Sequence, residues 1–443
     1  MTVTAGCPGG HGVPPRSART APVHPAPAWA RSHKSLLLPA FWLVALMMAV
    51  GAARTVLLIR HSIAEYPVAT TAALALFAVY AVPFWLFVSA LDYLEREPPL
   101  LLVIAFGWGG LVATTVSAPG STAIQNMLAK GYSPGFAAAW GSAIAGPTVE
   151  EIVKTLGVVA IVLIARAQIN SVLDGVIYGS LVGLGFQVVE DVVYAVNAVA
   201  AAGRGDDIGP VVATFFVRGF LAGLWSHTLF SALAGAGVAS VVVRTDRTLR
   251  FRLGVAAVCL FGAWFCHFLW NSPLLAVEVG DNGYLLIVVL LAKGIPPLLA
   301  ILLLVRSARH READYYIAQL TALDDRDIAT PAELHVLGLG HMRANARRYA
   351  YARAGVMGRR AVQRLQRAQA SLALELSRAQ TTHDPAALGQ WRDEVLRQRA
   401  RLRSLGHPEA VAVDQRRGSM RRRMMILAVT LLLLTAACAA LSL

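Results

Sequence analysis

Nine apolar runs limit what this chain can fold into. They cover roughly 36–53, 70–90, 100–118, 136–165, 173–201, 210–242, 253–275, 284–305 and 424–443. A hydrocarbon core takes about 20 helical residues to cross. Inside it, a spanning segment must satisfy its own backbone N–H and C=O groups, which a helix does. The chain is 56% hydrophobic, a balance soluble domains rarely reach. The sequence therefore predicts an all-α, polytopic membrane protein. It has an eight-helix core over 36–305 and a ninth, C-terminal transmembrane helix at 424–443.

The remaining segments are polar. Residues 1–35 are rich in Pro, Gly, Ala and Arg without apolar periodicity, and read as a disordered tail. The first apolar run starts only at Leu36, which argues against a signal peptide. Residues 306–423 hold 23 Arg against 12 Asp and Glu, most of the chain's net charge of +14. Such a segment can bind nucleic acid, but no nucleic-acid partner is expected here. The simpler reading is a helical cytoplasmic domain that obeys the positive-inside rule and meets anionic membrane lipids. Within it, Thr330, Pro331 and Glu333 have the spacing of a helix start. Basic residues in the loops place the N-terminus in the cytoplasm and the C-terminus outside, in a multi-pass protein of the cell membrane. The outer loops then include RHSIAEYP and APGSTAIQNMLAKGYSP. The four cysteines form no CxxC pair, so neither a disulfide framework nor a zinc ribbon is expected.

The chemistry sits inside the apolar runs. GPTVEEIVKTLG places Glu150, Glu151 and Lys154 in the fourth. Each such charge costs roughly 2.5–3.5 kcal/mol to insert. On a helix, Lys154 lies one turn from both carboxylates and can neutralise one. The other needs a proton, a metal or a partner on another helix. The fifth run carries Glu190, with Phe186 and Tyr194 on the same face at spacings of four. The sixth carries His227 among small residues, and the seventh has His267 and Asn271 at i,i+4. Taken singly, each can be a packing residue or interhelical glue. Together, four consecutive spans present the side chains that bind a divalent metal or activate water. Arg218 and Asp174 lie near span ends and are expected to snorkel or pair at the interface. Lys293, before the Pro296–Pro297 kink, is either structural or meets a carboxylate of the cluster.

These motifs resemble those of the PrsW family of intramembrane proteases. Glu150-Glu151-Ile152-Val153-Lys154 looks like its EExxK motif, and Phe186-Gln187-Val188-Val189-Glu190 like its FxxxE element. His227 in SHTLFSALAGAG resembles its first histidine motif, and His267-Phe268-Leu269-Trp270-Asn271 its HxxxN element. The inner-loop EREPP is also similar. Asp191 and Ser231 stand where the family often has Asn and Thr, and both stay polar. The resemblance covers residues 36–305 and extends to CAAX-type prenyl proteases and bacterial immunity proteases. It implies peptide-bond hydrolysis at the membrane, with a membrane-anchored protein as substrate, in some members an anti-sigma factor.

Two mechanisms stay open at this stage. In one, His227, His267 and a carboxylate such as Glu190 hold Zn²⁺ and leave a position for water. In the other, a Glu with His227 activates water directly, and His267 with Asn271 forms an oxyanion hole. In both, Glu150 or Glu151 is the base and Lys154 positions its partner. The competing functions are a proton-coupled transporter, which also uses intramembrane Glu and His, and an inactive membrane scaffold. No internal repeat supports the transporter.

Overall fold

The computed structural model describes residues 37–91, 97–222, 227–274, 283–379, 385–407 and 409–412, and all regular structure among them is helical. The expected tail at 1–35 and the expected last span at 424–443 lie outside the described residues.

Six helical stretches among the described residues are long and apolar enough to cross a bilayer: Pro39–Glu65, Pro67–Leu91, Pro99–Gly131, Val172–Ala202, Leu249–Asn271 and Val288–Thr321. The first two are α1 and α2, each opened by proline, which is preorganised for a first helical turn. The third joins α3 (Pro99–Gly107) and α4 (Thr114–Gly131) through a π-helical turn at Trp108–Ala113. Helix α5 (Pro134–Ala165) is 32 residues long and carries Glu150, Glu151 and Lys154. It is followed by α6 (Val172–Ala202), α7 (Gly209–Thr214), a π-helical stretch at Phe215–Ala222, α8 (His227–Val243), α9 (Leu249–Asn271) and α10 (Gly283–Thr321). The polar region adds α11 (Pro331–Gly338), α12 (Gly340–Ala379) and α13 (Pro385–Ser404).

Some expectations change, and one falls partly outside the described residues. The sixth run, read as one span over 210–242, carries apolar helices at Gly209–Phe220 and His227–Val243, with residues 223–226 between them outside the described residues. The segment APGSTAIQNMLAKGYSP is not an outer loop. It stays helical to Gly131, and only Tyr132 and Ser133 separate α4 from α5. Its polarity belongs to a helix face that lines a cavity, described below. Likewise RHSIAEYP is helical through Glu65. Finally, α10 runs without interruption from the eighth apolar run into the polar region, so a boundary at 305 falls inside a helix.

Helix α6 is the axis of the membrane part. Its apolar window is 83% buried, against 17% for α1 and α2 and 11% for α9. The outer helices instead expose Leu43, Leu46, Leu57 and Phe261, as helices bounded by lipid do. A row of glycines one turn apart lets α6 approach α8. A Cβ added to Gly175, Gly179 or Gly183 would collide with the carbonyl oxygens of Gly235, Ser231 and His227 respectively. Without water to drive association, such close backbone packing holds membrane helices together. It also fixes His227 against the face of α6 that carries Glu190. Ser171 and Asp174 form a capping box at the start of α6, so Asp174 serves the helix terminus.

Residues from Tyr316 onward build a second apolar core around Leu365, Leu372, Val395 and Leu402. Thr330 and Glu333 make the expected capping box, with Pro331 at the first turn. Glu333 does more than cap. Its buried carboxylate takes Arg399 at 2.6 Å, Gln369 at 3.1 Å and the backbone N–H of Ala410 at 2.9 Å. Removing one partner of a buried pair leaves the other uncompensated, typically costing about 3–5 kcal/mol. Glu333→Ala is therefore expected to unfold this part first, read as early loss of protease resistance of its helices in the purified protein. A midpoint within a degree of wild type would contradict it.

Candidate active site

The centre forms where α5, α6, α8 and α9 meet. Glu150, Glu151 and Lys154 share one face of α5 and are all buried. Lys154 Nζ lies 2.6 Å from Glu151 Oε1 and 3.6 Å from Glu150 Oε2, so it serves Glu151 first. It also lies 2.9 Å from His227 Nδ1 and 4.5 Å from the centre of the Phe186 ring. His267 Nδ1 stands 2.8 Å from Glu151 Oε1, and Asn271 Nδ2 stands 3.1 Å from His267 Nε2. His227 Nε2 meets Glu190 Oε2 at 3.0 Å. The imidazole centroids are 5.0 Å apart, and Phe230 stacks on His267 at 5.2 Å.

The contacts assign the protons. Lys154 can only donate, so His227 Nδ1 accepts and its Nε2–H donates to Glu190. The Asn271 amide donates to His267 Nε2, so the His267 Nδ1–H donates to Glu151. This network leaves three carboxylate oxygens without a hydrogen bond among the described residues, Glu151 Oε2, Asp191 Oδ2 and one that lies between the imidazoles. Glu150 Oε2 is buried and has no hydrogen-bond partner among the described residues. It is ringed by Lys154 Nζ at 3.6 Å, His227 Nδ1 at 3.8 Å and His267 Nε2 at 3.9 Å. Helical spacing alone had shown that Lys154 could satisfy only one of the two carboxylates. The tertiary contacts identify the other as Glu150.

Every sequence-predicted residue arrives at this centre: Glu150, Glu151, Lys154, Glu190, His227, His267 and Asn271. The expected metal set of His227, His267 and Glu190 is not the grouping that forms. Glu150, Glu151, His227 and His267 each offer a ligand atom within 4.8 Å of the others. Glu190 stands outside that group, because its Oε2 is shared between His227 and Arg218 Nη2, the latter at 2.6 Å.

Arg218 was underrated by the sequence reading, which placed it near a span end. The π-helical stretch at Phe215–Ala222 carries it to Glu190 and, at 2.5 Å, to Asp191 Oδ1. Its guanidinium also lies 3.8 Å from the centre of the Tyr194 ring. Phe186, Glu190 and Tyr194 do share one face, as their spacing predicts, and that face is the one Lys154, His227 and Arg218 meet. Only the tertiary contact reveals Arg218, since π-helical insertions have no reliable sequence signature. Lys293 is structural. Its Nζ donates to the carbonyls of Ser272 at 2.8 Å and Trp270 at 3.4 Å, at the end of α9, and meets none of the cluster carboxylates.

The donor set is compatible with a metal ion. Glu150, Glu151, Glu190 and Asp191 face only Lys154 and Arg218 as fixed cations. With every carboxylate ionised the balance is 2 − 4 = −2, costly in a water-poor interior. One divalent cation would cancel it, and Glu150 Oε2, Glu151 Oε2 and Asp191 Oδ2 are buried carboxylate oxygens with no hydrogen-bond partner among the described residues.

The centre opens into a cavity of about 770 Å³, lined among others by Glu150, His227, His267, Asn271 and Arg218. Fold and site together define a multi-pass, all-helical membrane protein with a buried carboxylate–imidazole–ammonium centre at the wall of a polar chamber. Residues 97–295 match the model of the PrsW family intramembrane metalloprotease, and the matched segment holds all four motifs. No curated protein and no solved structure matches the chain.

Proposed function

We propose that the protein is an intramembrane peptidase that hydrolyses a peptide bond of a membrane-anchored protein with water activated at Glu150. The observation that carries this reading is the unserved Glu150 oxygen at the cavity wall, surrounded by three nitrogens. A carboxylate so placed accepts a proton from water, and general-base help of this kind contributes roughly a hundredfold to ten-thousandfold. Glu151 holds His267 in one orientation, Lys154 holds Glu151 and His227, and Glu190 with Arg218 holds the far side of His227. The Asn271 amide, on the same turn as His267, is placed to donate to an oxygen that gains charge in the reaction.

Glu150, Glu151, His227 and His267 would hold the metal ion, and Zn²⁺ suits carboxylate and imidazole ligands. Bound there, it would supply Lewis acidity and acidify a water. The test pairs metal analysis of purified protein with cleavage of a single-span reporter before and after chelation. The expected result is one metal per chain, lost by His267→Ala, and cleavage that falls on chelation and returns with Zn²⁺. Full cleavage by metal-free protein would remove the metal and leave Glu150 with the imidazoles as the whole apparatus.

The substrate reading rests on resemblance alone. An anti-sigma factor is one membrane-anchored protein of the right class. The positive-inside pattern supports a cytoplasmic N-terminus and an extracytoplasmic C-terminus. A reporter fused after Leu443 should then be found outside the cytoplasm.

A further inference from the structure

The chamber has a second wall that the chemistry at Glu150 does not use. It is built by α4 and α1. Thr115, Ser117, Ser121 and Gln125 of α4 line the cavity, as does Arg54 of α1. Gly51 packs on the backbone at Leu111, with an added Cβ 2.6 Å from that carbonyl oxygen, and Gly107 packs on Met48. Helix α1 therefore runs parallel to the end of α3 and the π-helical turn, which brings Arg54 near the start of α4.

Three features mark this wall as a seat. First, hydroxyls in apolar helices ordinarily bond back to the carbonyl four residues earlier. Thr114 and Thr122 of α4 do so, to Gly110 at 2.6 Å and Ala118 at 3.0 Å. Ser117 and Ser121, one turn apart, do not. Both Oγ atoms are buried without a partner among the described residues, and Ser117 is only 3% exposed. An unmade bond of this kind costs about 1–3 kcal/mol. Second, Pro119 lies inside α4 and has no N–H to give the Thr115 carbonyl. Third, Arg54 lies within the apolar helix α1, is exposed and lines the cavity, and no ion pair among the described residues includes it. A membrane arginine without a carboxylate points to a ligand that brings one. Of the site's own carboxylates, Glu151, Glu190 and Asp191 are engaged by Lys154, Arg218 and the two histidines, and Glu150 stands 3.6 Å from Lys154 Nζ.

We propose that this wall seats the substrate: an extended peptide segment pairs its main chain with Ser117, Ser121 and the Thr115 carbonyl, and an acidic side chain on it meets Arg54. Main-chain pairing gives affinity without regard to sequence, and one charge then sets the register. The cavity is within the range of about 300–1,000 Å³ usual for ligand sites. The segment would leave toward the turn between α4 and α5, where Gln125 packs on Gly141. This assignment rests on the peptidase reading for its ligand class.

The test separates the two. Single-span Leu/Ala peptides carry one Asp, Asn or Lys, walked through a flexible flank. Their binding to Glu150→Gln protein in phosphatidylcholine nanodiscs is read by fluorescence anisotropy, and their cleavage by wild type is read in parallel. At one register the Asp peptide should bind about tenfold tighter than the Asn peptide. Adding Arg54→Gln should abolish that preference, and Arg54→Glu should reverse it in favour of Lys. Ser117→Ala with Ser121→Ala should weaken all peptides alike, whatever their charge. An unchanged Asp-over-Lys ranking in both Arg54 variants would overturn the seat. So would an Arg54 effect confined to nanodiscs containing phosphatidylglycerol, which would assign the arginine to a lipid headgroup. If the ranking follows Arg54 while wild type cuts no peptide, the seat stands and the peptidase reading fails. If peptides are cut without regard to Arg54, the reverse holds.

Discussion

Glu150→Gln is expected to lower cleavage of a single-span reporter by roughly a hundredfold to ten-thousandfold, the range of a lost general base. The effect should fall on kcat, with reporter affinity kept. Gln is isosteric, so packing around α5 is preserved. The substitution also removes one negative charge from a centre that has two more carboxylates than fixed cations, so thermal stability should hold or rise. Glu151→Gln makes an informative contrast. Glu151 is bonded to Lys154 at 2.6 Å and to His267 at 2.8 Å, so its loss disorders both. Breaking a buried ion pair from one side commonly costs about 3–5 kcal/mol. Glu151→Gln should therefore show lost activity together with lost stability. If Glu150→Gln kept activity within a few fold while Glu151→Gln abolished it with stability intact, the roles of the two carboxylates would have to be exchanged.

Gly183→Leu is expected to inactivate the protein from outside the charged cluster. Gly183 packs on the main chain of His227, and any Cβ there collides with the His227 carbonyl oxygen. That neighbour is backbone and cannot swing aside. The helices α6 and α8 must separate, and His227 then moves away from Glu190 and Lys154. A displacement of about 1 Å in a catalytic group can cost a hundredfold in rate. Overpacking of a well-filled interface adds roughly 1–3 kcal/mol of destabilisation. Gly183→Ala should show the same direction with smaller loss. A control at Gly254, where an added Cβ meets nothing within 4 Å, should leave both rate and stability near wild type. Equal activity in Gly183→Leu and the control would show that the close approach is not what positions His227.

The residues of the centre were legible before any tertiary contact. Charges in an apolar run are costly enough to announce themselves, so Glu150, Glu151, Lys154, Glu190, His227 and His267 stood out. Asn271 followed from its i,i+4 spacing to His267. Local geometry also foretold that Lys154 would leave one carboxylate short, and that Phe186, Glu190 and Tyr194 would share a face. Hydropathy was less reliable where a segment was polar for a reason other than exposure. The α4 stretch around Ser117, Ser121 and Gln125 looked like an outer loop because its composition is that of one. It is a helix whose polar face lines a cavity, a distinction that depends on neighbours and not on composition.

The sequence by itself determined an all-helical membrane protein and the side chains of its candidate centre. Both follow from local terms, the cost of unpaired backbone groups and of charges in hydrocarbon. The tertiary structure decided which carboxylate lacks a close partner, which nitrogen of each histidine faces which partner, and that Arg218 reaches Glu190 Oε2. These depend on contacts between residues far apart in the chain, such as Glu151 with His267, 116 positions away. Such contacts are set by how closely α6 and α8 can approach and by a π-helical turn that redirects one arginine.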